Sequence, residues 1–227
     1  MKIIIRNILP RLAIPVFAMM IAWAMVPGAR SWAGELTPLL LPAPQTDGGK
    51  PLMQALSLRA TSRAFAPDPI PAQTLSNLLW AAWGINRPAE GRRTAPSARN
   101  WQEIDLMVVH ADGTFLYDAA ANRLRPVAAG DHRALTGVQP FVKDAPMTLL
   151  LVADTSRMKG AAKDSDQRQW IWADAGFISQ NIYLFCASEG LATGVRALVD
   201  RPALMKALGL KEHQVILLAQ CVGRPAH

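Results

Sequence analysis

The sequence predicts an α+β fold, in which strands and helices are interspersed along one chain. Two short strand patterns, "IDLMVVH" and "TFLYDA", follow each other closely, as in an antiparallel hairpin. Two continuous apolar runs, "APMTLLLVAD" and "HQVILLAQCVG", are typical of buried strands. Other segments carry apolar residues at steps of three and four, which is the spacing of a helix.

The first part of this fold is predicted to contain two helices. "PLMQALSL", residues 51–58, has apolar residues at helical spacing, and "DPIPAQTLSNLLWAAWG" repeats this pattern. The second helix begins at Pro71, because proline suits a first turn, and ends at Gly84, a natural C-terminal stop. Residues 84–103 then form a long polar connection. A connection of this length inside a compact domain is usually functional.

Strands dominate the middle of the chain. Three short strands are predicted at residues 104–110, 114–119 and 123–128. Asp112-Gly113 is a good two-residue hairpin turn between the first two of them. The apolar run at residues 145–154 predicts a buried strand.

The longest predicted helix covers residues 166–189, and apolar residues nearly encircle it. A helix that is apolar all round is buried on all sides. We therefore expect this helix at the centre of the molecule or against another subunit. A short amphipathic helix at residues 201–209 and a buried strand at residues 213–223 complete the chain.

Residues 1–33 have the pattern of a secretory signal peptide. An apolar stretch at residues 12–26 is followed by Ser31-Trp32-Ala33, and the positive start is formed by Lys2, Arg6 and Arg11. Cleavage after Ala33 and export to the periplasm are expected. The alternative, an uncleaved membrane anchor formed by residues 12–26, stays open, although about 15 apolar residues are short for a span of about 20.

The remaining 194 residues suit one domain, at residues 51–227, preceded by an extended proline-containing arm at residues 34–50. Four of the 24 basic residues and none of the 17 acidic residues lie in residues 1–33. The mature part therefore has a net charge of +3 rather than +7, and this small excess does not support nucleic-acid binding.

Several common chemistries lack their motifs. There is no CxxC or HExxH, and the four histidines are scattered, so no metal site is predicted. There is no GxSxG, and no GxGxxG follows a strand. Cys186 and Cys221 lie inside apolar runs. Two buried thiols are therefore preferred over a disulfide, which export would permit.

One polar stretch, "RATSRAF" at residues 59–65, carries a candidate binding site. It places Arg59 and Arg63 on either side of two hydroxyl groups. Guanidinium groups match phosphate oxygens geometrically, so the stretch is a candidate phosphate cradle. The alternative is a solvated polar end of a helix.

Three stretches in this order resemble one known family. They are "RATSRAF", then "RTAPSARNWQEIDLMVV" at residues 93–109, then residues 174–210 followed by a strand that ends in "VGRP". Their order and spacing are similar to the nitroreductase family of FMN-dependent oxidoreductases. Within the family the chain is most similar to the SagB-type, or ThcOx-like, dehydrogenases. The resemblance covers residues 51–225, nearly the whole mature chain.

This resemblance implies a mixed, largely antiparallel sheet flanked by helices, built as an intertwined homodimer. FMN would lie at the dimer interface and contact residues of both chains. The implied reaction is two-electron transfer through flavin N5, to or from a small electrophilic or heterocyclic substrate, with no catalytic side chain. NAD(P)H is the expected electron donor in the cytoplasm, whereas an exported enzyme would need another donor.

The resemblance also assigns cofactor-binding residues. Arg59, Thr61 and Arg63 would bind the phosphate, and the pattern P-S-x-x-N places Pro96, Ser97 and Asn100 at the flavin. The backbone N–H of Ala197 or Leu198 would lie near N5, with Gly194 allowing close approach of the backbone to the ligand. Arg224 would take the place of a basic C-terminal tail, or is simply exposed.

Two departures from the family pattern leave alternatives open. Ala60 stands where a second arginine is usual, and the basic tail is missing. Beside the FMN-dependent oxidoreductase, two alternatives therefore stay open. One is an exported flavin-binding electron carrier without nitroreductase turnover, and the other is an FMN-free structural relative.

Overall fold

The computed structural model describes residues 36–160 and 164–226, apart from the side chains of residues 164–166. The predicted signal peptide at residues 1–33, with the alternative anchor at residues 12–26, therefore lies outside the described residues. Within the described part, no helix has the length and apolar character that crossing a membrane requires.

A seven-stranded sheet forms the centre of the molecule, in the order β1-β6-β5-β4-β7-β9-β8. Each pair of neighbouring strands among the described residues is antiparallel. The strands are β1 (Leu39–Leu40), β4 (Ile104–His110), β5 (Gly113–Asp118), β6 (Arg123–Ala129), β7 (Met147–Asp154), β8 (Ala192–Arg196) and β9 (Gln214–Gly223). A separate ribbon pairs β2 (Ile85–Arg87) with β3 (Arg92–Arg93).

Four helices flank this sheet: α1 (Leu52–Leu58), α2 (Ala72–Trp83), α3 (Asp164–Glu189) and α4 (Arg201–Leu208). The predicted starts and stops hold for α2 and α4. Pro71 precedes α2, Gly84 ends it, and Gly209 ends α4 with a left-handed backbone. The prediction of an α+β fold with a largely antiparallel sheet is confirmed.

Two apolar layers hold the helices on the sheet, because alternate residues of a strand point to opposite faces. On one face, Leu106, Leu149 and Leu151 pack with buried residues of α2 and α3. On the other face, Leu150 and Val152 pack with buried residues of α4. The helix at α3 therefore lies against one face of the sheet.

The predicted burial of α3 holds for the side that faces the sheet, whereas another side is exposed in the single chain, which leaves the alternative of contact with another subunit. Trp170, Trp172 and Phe177 are 47%, 42% and 48% exposed. The opposite side, which includes Ile171, Ile178 and Ile182, is buried. The apolar residues of α3 thus lie on two faces. One face packs toward the sheet, and the other is about half exposed in this chain.

Three elements differ from the predictions. β8 lies within a segment that was expected to be a loop, the β2–β3 ribbon lies within the long connection, and β1 lies within the extended arm. β8 contains Gly194, and glycine weakens a strand pattern. Its strand conformation comes from pairing with β9, a contact that is remote in sequence.

The hairpin turn between β4 and β5 is also shifted by one residue. His110 pairs with Gly113, so Ala111 and Asp112 form the turn rather than Asp112-Gly113. Gly113 is needed inside the strand, because a Cβ there would lie 2.7 Å from Leu36 Cδ1 and 2.8 Å from the Ala128 carbonyl. Cys186 and Cys221 are both buried free thiols, as predicted.

Candidate functional site

The segment at residues 59–66 runs along the free edge of β8. The backbone N–H of Ser62 donates to the Thr193 carbonyl at 2.8 Å. Two residues further along the same edge, the backbone N–H of Val195 donates to the hydroxyl of Tyr183 at 3.0 Å. These contacts use polar groups that an edge strand otherwise leaves open.

Gly194 lies between these two contacts and allows the segment to approach. A Cβ at this position would lie 2.7 Å from the Ser62 carbonyl and 3.4 Å from Thr61 Cγ2. Glycine was expected here to allow close approach to a ligand. In the structure, the close approach is instead to the chain itself.

Tyr183 of α3 contacts the predicted phosphate-binding segment at residues 59–63. Its hydroxyl is 2.9 Å from Thr61 Oγ1, and the Arg59 guanidinium lies over its ring, with 5.4 Å from Cζ to the centroid. The tyrosine is 7% exposed, whereas Thr61, Arg59 and Arg63 are exposed. The three predicted side chains are therefore exposed, and Thr61 and Arg59 contact the buried Tyr183.

The C-terminal segment lies on the other side of residues 59–66. The backbone N–H of Ala66 donates to the Arg224 carbonyl at 2.9 Å, and Phe65 forms an isolated bridge with Pro225. The structure thus brings the backbone of Arg224 beside the Arg59–Arg63 segment. The side chain of Arg224 is exposed.

Three guanidinium groups at this site have no counter-ion in the described part of the chain. Arg59, Arg63 and Arg224 form no ion pair there, in contrast to arginines elsewhere such as Arg157 with Asp105. Exposed arginines that form no ion pair are suited to bind an anion.

Ala197 and Leu198 follow β8 directly and are exposed, Leu198 by 60%. Within the described residues, neither backbone N–H donates a hydrogen bond, while the Ala197 carbonyl accepts one from Arg201 at 3.0 Å. Both N–H groups are therefore free to donate to a ligand.

Arg196, the last residue of β8, is buried and does not reach this surface. Its guanidinium donates to Thr136 Oγ1 at 2.9 Å and to Cys221 Sγ at 3.0 Å, and it lies over the ring of Phe141. The structure makes it part of the interior, because alternation along β8 turns it inward.

The predicted flavin residues Pro96, Ser97 and Asn100 lie in a second, separate loop. Ser97 Oγ accepts from the backbone N–H of Gln102 at 3.0 Å, and Asn100 Oδ1 accepts from Gln102 Nε2 at 3.0 Å. Pro96 and Asn100 are exposed. Both polar side chains thus shape the loop, and the amide nitrogen of Asn100 has no hydrogen-bond acceptor among the described residues.

The backbone of this loop is strained. Arg99, Asn100 and Gln102 have φ angles of 49°, 55° and 49°, in the left-handed region that disfavours residues other than glycine. Such strain persists only where surrounding contacts hold it. Here Asp174 of α3 accepts from the Ala98 N–H at 2.8 Å, and Arg99 donates to the Gly160 carbonyl at 3.0 Å.

A pair of buried carboxyl groups lies under the strained loop. Glu103 is 0% exposed and Asp174 is 2% exposed. Burial, followed by the negative charge of Asp174, raises the pKa of Glu103 from its ordinary 4.5 to about 7. Burial also raises the pKa of Asp174. Glu103 is therefore largely protonated below neutral pH, which leaves Asp174 as the acceptor for the loop.

The two candidate regions are attached to different turns of α3. One is tied to α3 at Asp174 and the other at Tyr183, nine residues further along the helix. At about 1.5 Å per residue, these attachment points are about 13 Å apart along the helix axis. The described hydrogen bonds do not connect the two regions directly.

Sequence comparison decides which family this arrangement belongs to. The profile of the Nitroreductase family matches residues 56–224, most of the chain. The chain belongs to the nitroreductase family.

Individual relatives agree with this membership. A protein of Methanocaldococcus jannaschii named as a nitroreductase is 28% identical over 184 residues, covering 76% of this chain and 90% of that protein. A solved structure from Ralstonia eutropha JMP134, also named as a nitroreductase, is 39% identical, with a TM-score of 0.80 over 84% of this chain and 90% of its own.

A chain of the Escherichia coli microcin synthetase complex shares only the fold. It is 17% identical, with a TM-score of 0.64 over 80% of this chain and 76% of its own. This fold therefore also occurs in a chain of a multi-protein complex.

Three residues of this nitroreductase-family site were missed in the sequence. Tyr183 and Asp174 hold the two candidate regions, and Glu103 lies beside Asp174. All three lie within the stretches that resemble the family, but none was assigned a role there. A weak signal was present, since Asp174 and Tyr183 lie in a part of α3 that is rich in apolar residues. A buried polar side chain needs a partner, and the partner is visible only in the folded chain.

Proposed function

We propose that this protein is an FMN-dependent oxidoreductase that binds the FMN phosphate at Arg59, Thr61 and Arg63. The observation that carries the proposal is that Arg59 and Arg63, which flank the exposed residue Thr61 in the sequence, form no ion pair among the described residues. Two hydrogen-bonding guanidinium forks and a hydroxyl suit a phosphate that is close to a dianion. Arg224, beside the same segment, is a third cation of this cradle.

Family membership supports the oxidoreductase part of this proposal, and the free N–H groups after β8 support the position of the flavin ring. Ala197 and Leu198 would donate to the ring near N5, and Asn100 would meet its pyrimidine edge with a donor and an acceptor. Hydrogen bonds to the ring tune flavin electronics. FMN itself would supply the two-electron chemistry, so no catalytic side chain is proposed.

The family resemblance implies an FMN site that contains residues of two chains. Within one chain the Ser97–Asn100 loop and the Arg59–Arg63 segment are attached about 13 Å apart along α3. A second subunit can contribute further contacts to the cofactor. We therefore propose an intertwined homodimer with a flavin at each interface.

The exposed apolar side of α3 supports this dimer. Trp170, Trp172 and Phe177 lie there, and α1, which packs on α3, exposes Leu52 and Met53 by 63% and 76%. Soluble monomers rarely expose contiguous apolar surface of this kind. Burial of these side chains between two subunits would remove it.

The proposed substrate is a small electrophilic or heterocyclic molecule, and the proposed branch is the SagB-type dehydrogenases. The proposed electron donor depends on location. We propose that residues 1–33 direct export and are removed after Ala33, which implies a periplasmic protein and a donor other than NAD(P)H. If residues 12–26 remain as an anchor or the protein stays in the cytoplasm, NAD(P)H is the expected donor.

The absorption spectrum of the purified protein tests this proposal. A flavin spectrum, with FMN released on denaturation and reduction of a nitroaromatic or quinone, is the expected result. Bound FMN without turnover of any small acceptor would favour an electron carrier. A protein that binds no FMN when the cofactor is added would favour the FMN-free relative, which Ala60 also favours.

A further inference from the structure

We propose that Tyr183 is a positioning residue that fixes the hydroxyl of Thr61 as an outward hydrogen-bond donor to the cofactor phosphate. This inference rests on the proposed FMN site, and it assigns a role to a side chain for which the sequence motifs gave none. It concerns the direction of two hydrogen bonds, and the surrounding contacts decide that direction.

The Tyr183 hydroxyl has one proton to donate and can accept from two donors. It accepts the backbone N–H of Val195 at 3.0 Å, because an amide nitrogen can only donate. Its second contact is Thr61 Oγ1 at 2.9 Å, where either oxygen can be the donor. In the described residues, the Tyr183 hydroxyl makes no third contact.

Only one of the two arrangements satisfies the buried group. If Thr61 donated to Tyr183, the phenolic proton would have no acceptor, although Tyr183 is only 7% exposed. A buried donor without a partner is costly. If Tyr183 donates to Thr61, its proton is satisfied, and the Thr61 proton is free to point to solvent or to a ligand.

The position of Thr61 makes this free proton useful. Its methyl group faces Gly194, 3.4 Å from where a Cβ would be, and a threonine is stiff about χ1. Its hydroxyl contacts Tyr183, and Thr61 is exposed like the neighbouring Arg59 and Arg63. The order of donors, from Val195 to Tyr183 to Thr61, ends on the anion, and hydrogen bonds in such a chain strengthen one another.

The comparison of FMN with riboflavin tests this role, because riboflavin lacks the phosphate. Tyr183→Phe removes the hydroxyl but keeps the ring under Arg59. We expect it to weaken FMN binding roughly threefold to tenfold, the effect of one neutral hydrogen bond, and to leave riboflavin binding unchanged. Tyr117→Phe, at the only other tyrosine, is the matched control for loss of a buried hydroxyl and should change neither affinity.

Thr61→Val is a second variant, which removes the hydroxyl that would donate to the phosphate. FMN binding should weaken by the same factor as in Tyr183→Phe. The double variant should bind FMN no more weakly than either single variant, because both substitutions remove the same hydrogen-bond donor to the phosphate. Equal losses for FMN and riboflavin, or losses that add in the double variant, would overturn the inference. A wild-type protein that binds neither flavin would contradict the proposed function itself, and the inference with it.

Discussion

The buried carboxylate of Asp174 accepts a hydrogen bond from the backbone N–H of Ala98 at 2.8 Å. This bond attaches a strained loop to the longest helix of the protein. The neighbouring carboxyl group of Glu103 makes the attachment sensitive to pH, because both groups are buried and two negative charges would repel each other.

Because of Glu103, the free energy of unfolding should decrease as pH rises from 4.5 to about 7. Its pKa is about 7 in the folded chain and 4.5 ordinarily, so the folded state binds more protons than the unfolded state between these values. The free energy of unfolding should therefore fall from pH 4.5 to about 7 and then level off. Urea denaturation of the wild type and Glu103→Gln measures this, and the variant should lose most of the slope.

Glu212→Gln is the control for this experiment, since Glu212 is exposed. It should keep the slope of the wild type. A Glu103→Gln protein with an unchanged slope in this pH window would show that Glu103 is ionised in the folded state at pH 5.

Arg63→Ala should weaken FMN binding roughly tenfold to a hundredfold, because a hydrogen bond to a charged group contributes about 1.5–3 kcal/mol. Arg63→Lys should restore only part of the affinity, since an ammonium lacks the planar fork. Flavin fluorescence quenching measures both, with Arg125→Ala as an exposed control on β6. If Arg63→Ala binds FMN normally but melts much lower without cofactor, the arginine is structural.

Gly194→Ala should displace residues 61–62 from the edge of β8. The new Cβ would lie 2.7 Å from the Ser62 carbonyl, so the backbone must shift. We expect a loss of about 1–3 kcal/mol in stability, the usual cost of overpacking, together with weaker FMN binding. Thermal melting with and without FMN checks this, and an unchanged melting temperature would mean that the segment is not tightly docked.

Phe177→Glu should convert the proposed dimer into a monomer. Phe177 is 48% exposed in the single chain, and a charge there would be buried without a partner in a dimer. Light scattering should show the change in mass, and FMN should be lost in the same variant because the proposed site uses two chains. Val138→Glu, at an apolar residue 60% exposed elsewhere, should remain dimeric. A wild-type monomer at micromolar concentration would refute the dimer.

The protein isolated from its native cell envelope should begin at Gly34. This follows from the positive start, the short apolar stretch and the small residues before the cleavage position. Intact mass spectrometry measures the first residue directly. A mature protein that still carries Met1 would favour the anchored form.

Much of the fold could be predicted because its signals are local. Helix α2 begins after Pro71 and ends at Gly84 since these residues determine their own backbone conformations. Strands β4 and β9 were predicted within a residue because their apolar runs are continuous. The segments at residues 59–63 and 97–100 were recognised from the order of short motifs, because that order can be read from the sequence without any knowledge of contacts.

Contacts between distant residues decided the rest. β8 is a strand because β9 pairs with it, and Gly194 is needed because Ser62 packs on it, although no local pattern connects these positions. The sequence by itself determined the fold class, the main helices and the two candidate segments, since propensity and periodicity act over a few residues. Only the tertiary structure decided that Tyr183 holds Thr61 and that Asp174 holds Ala98, because a buried hydrogen bond depends on partners that folding alone brings together.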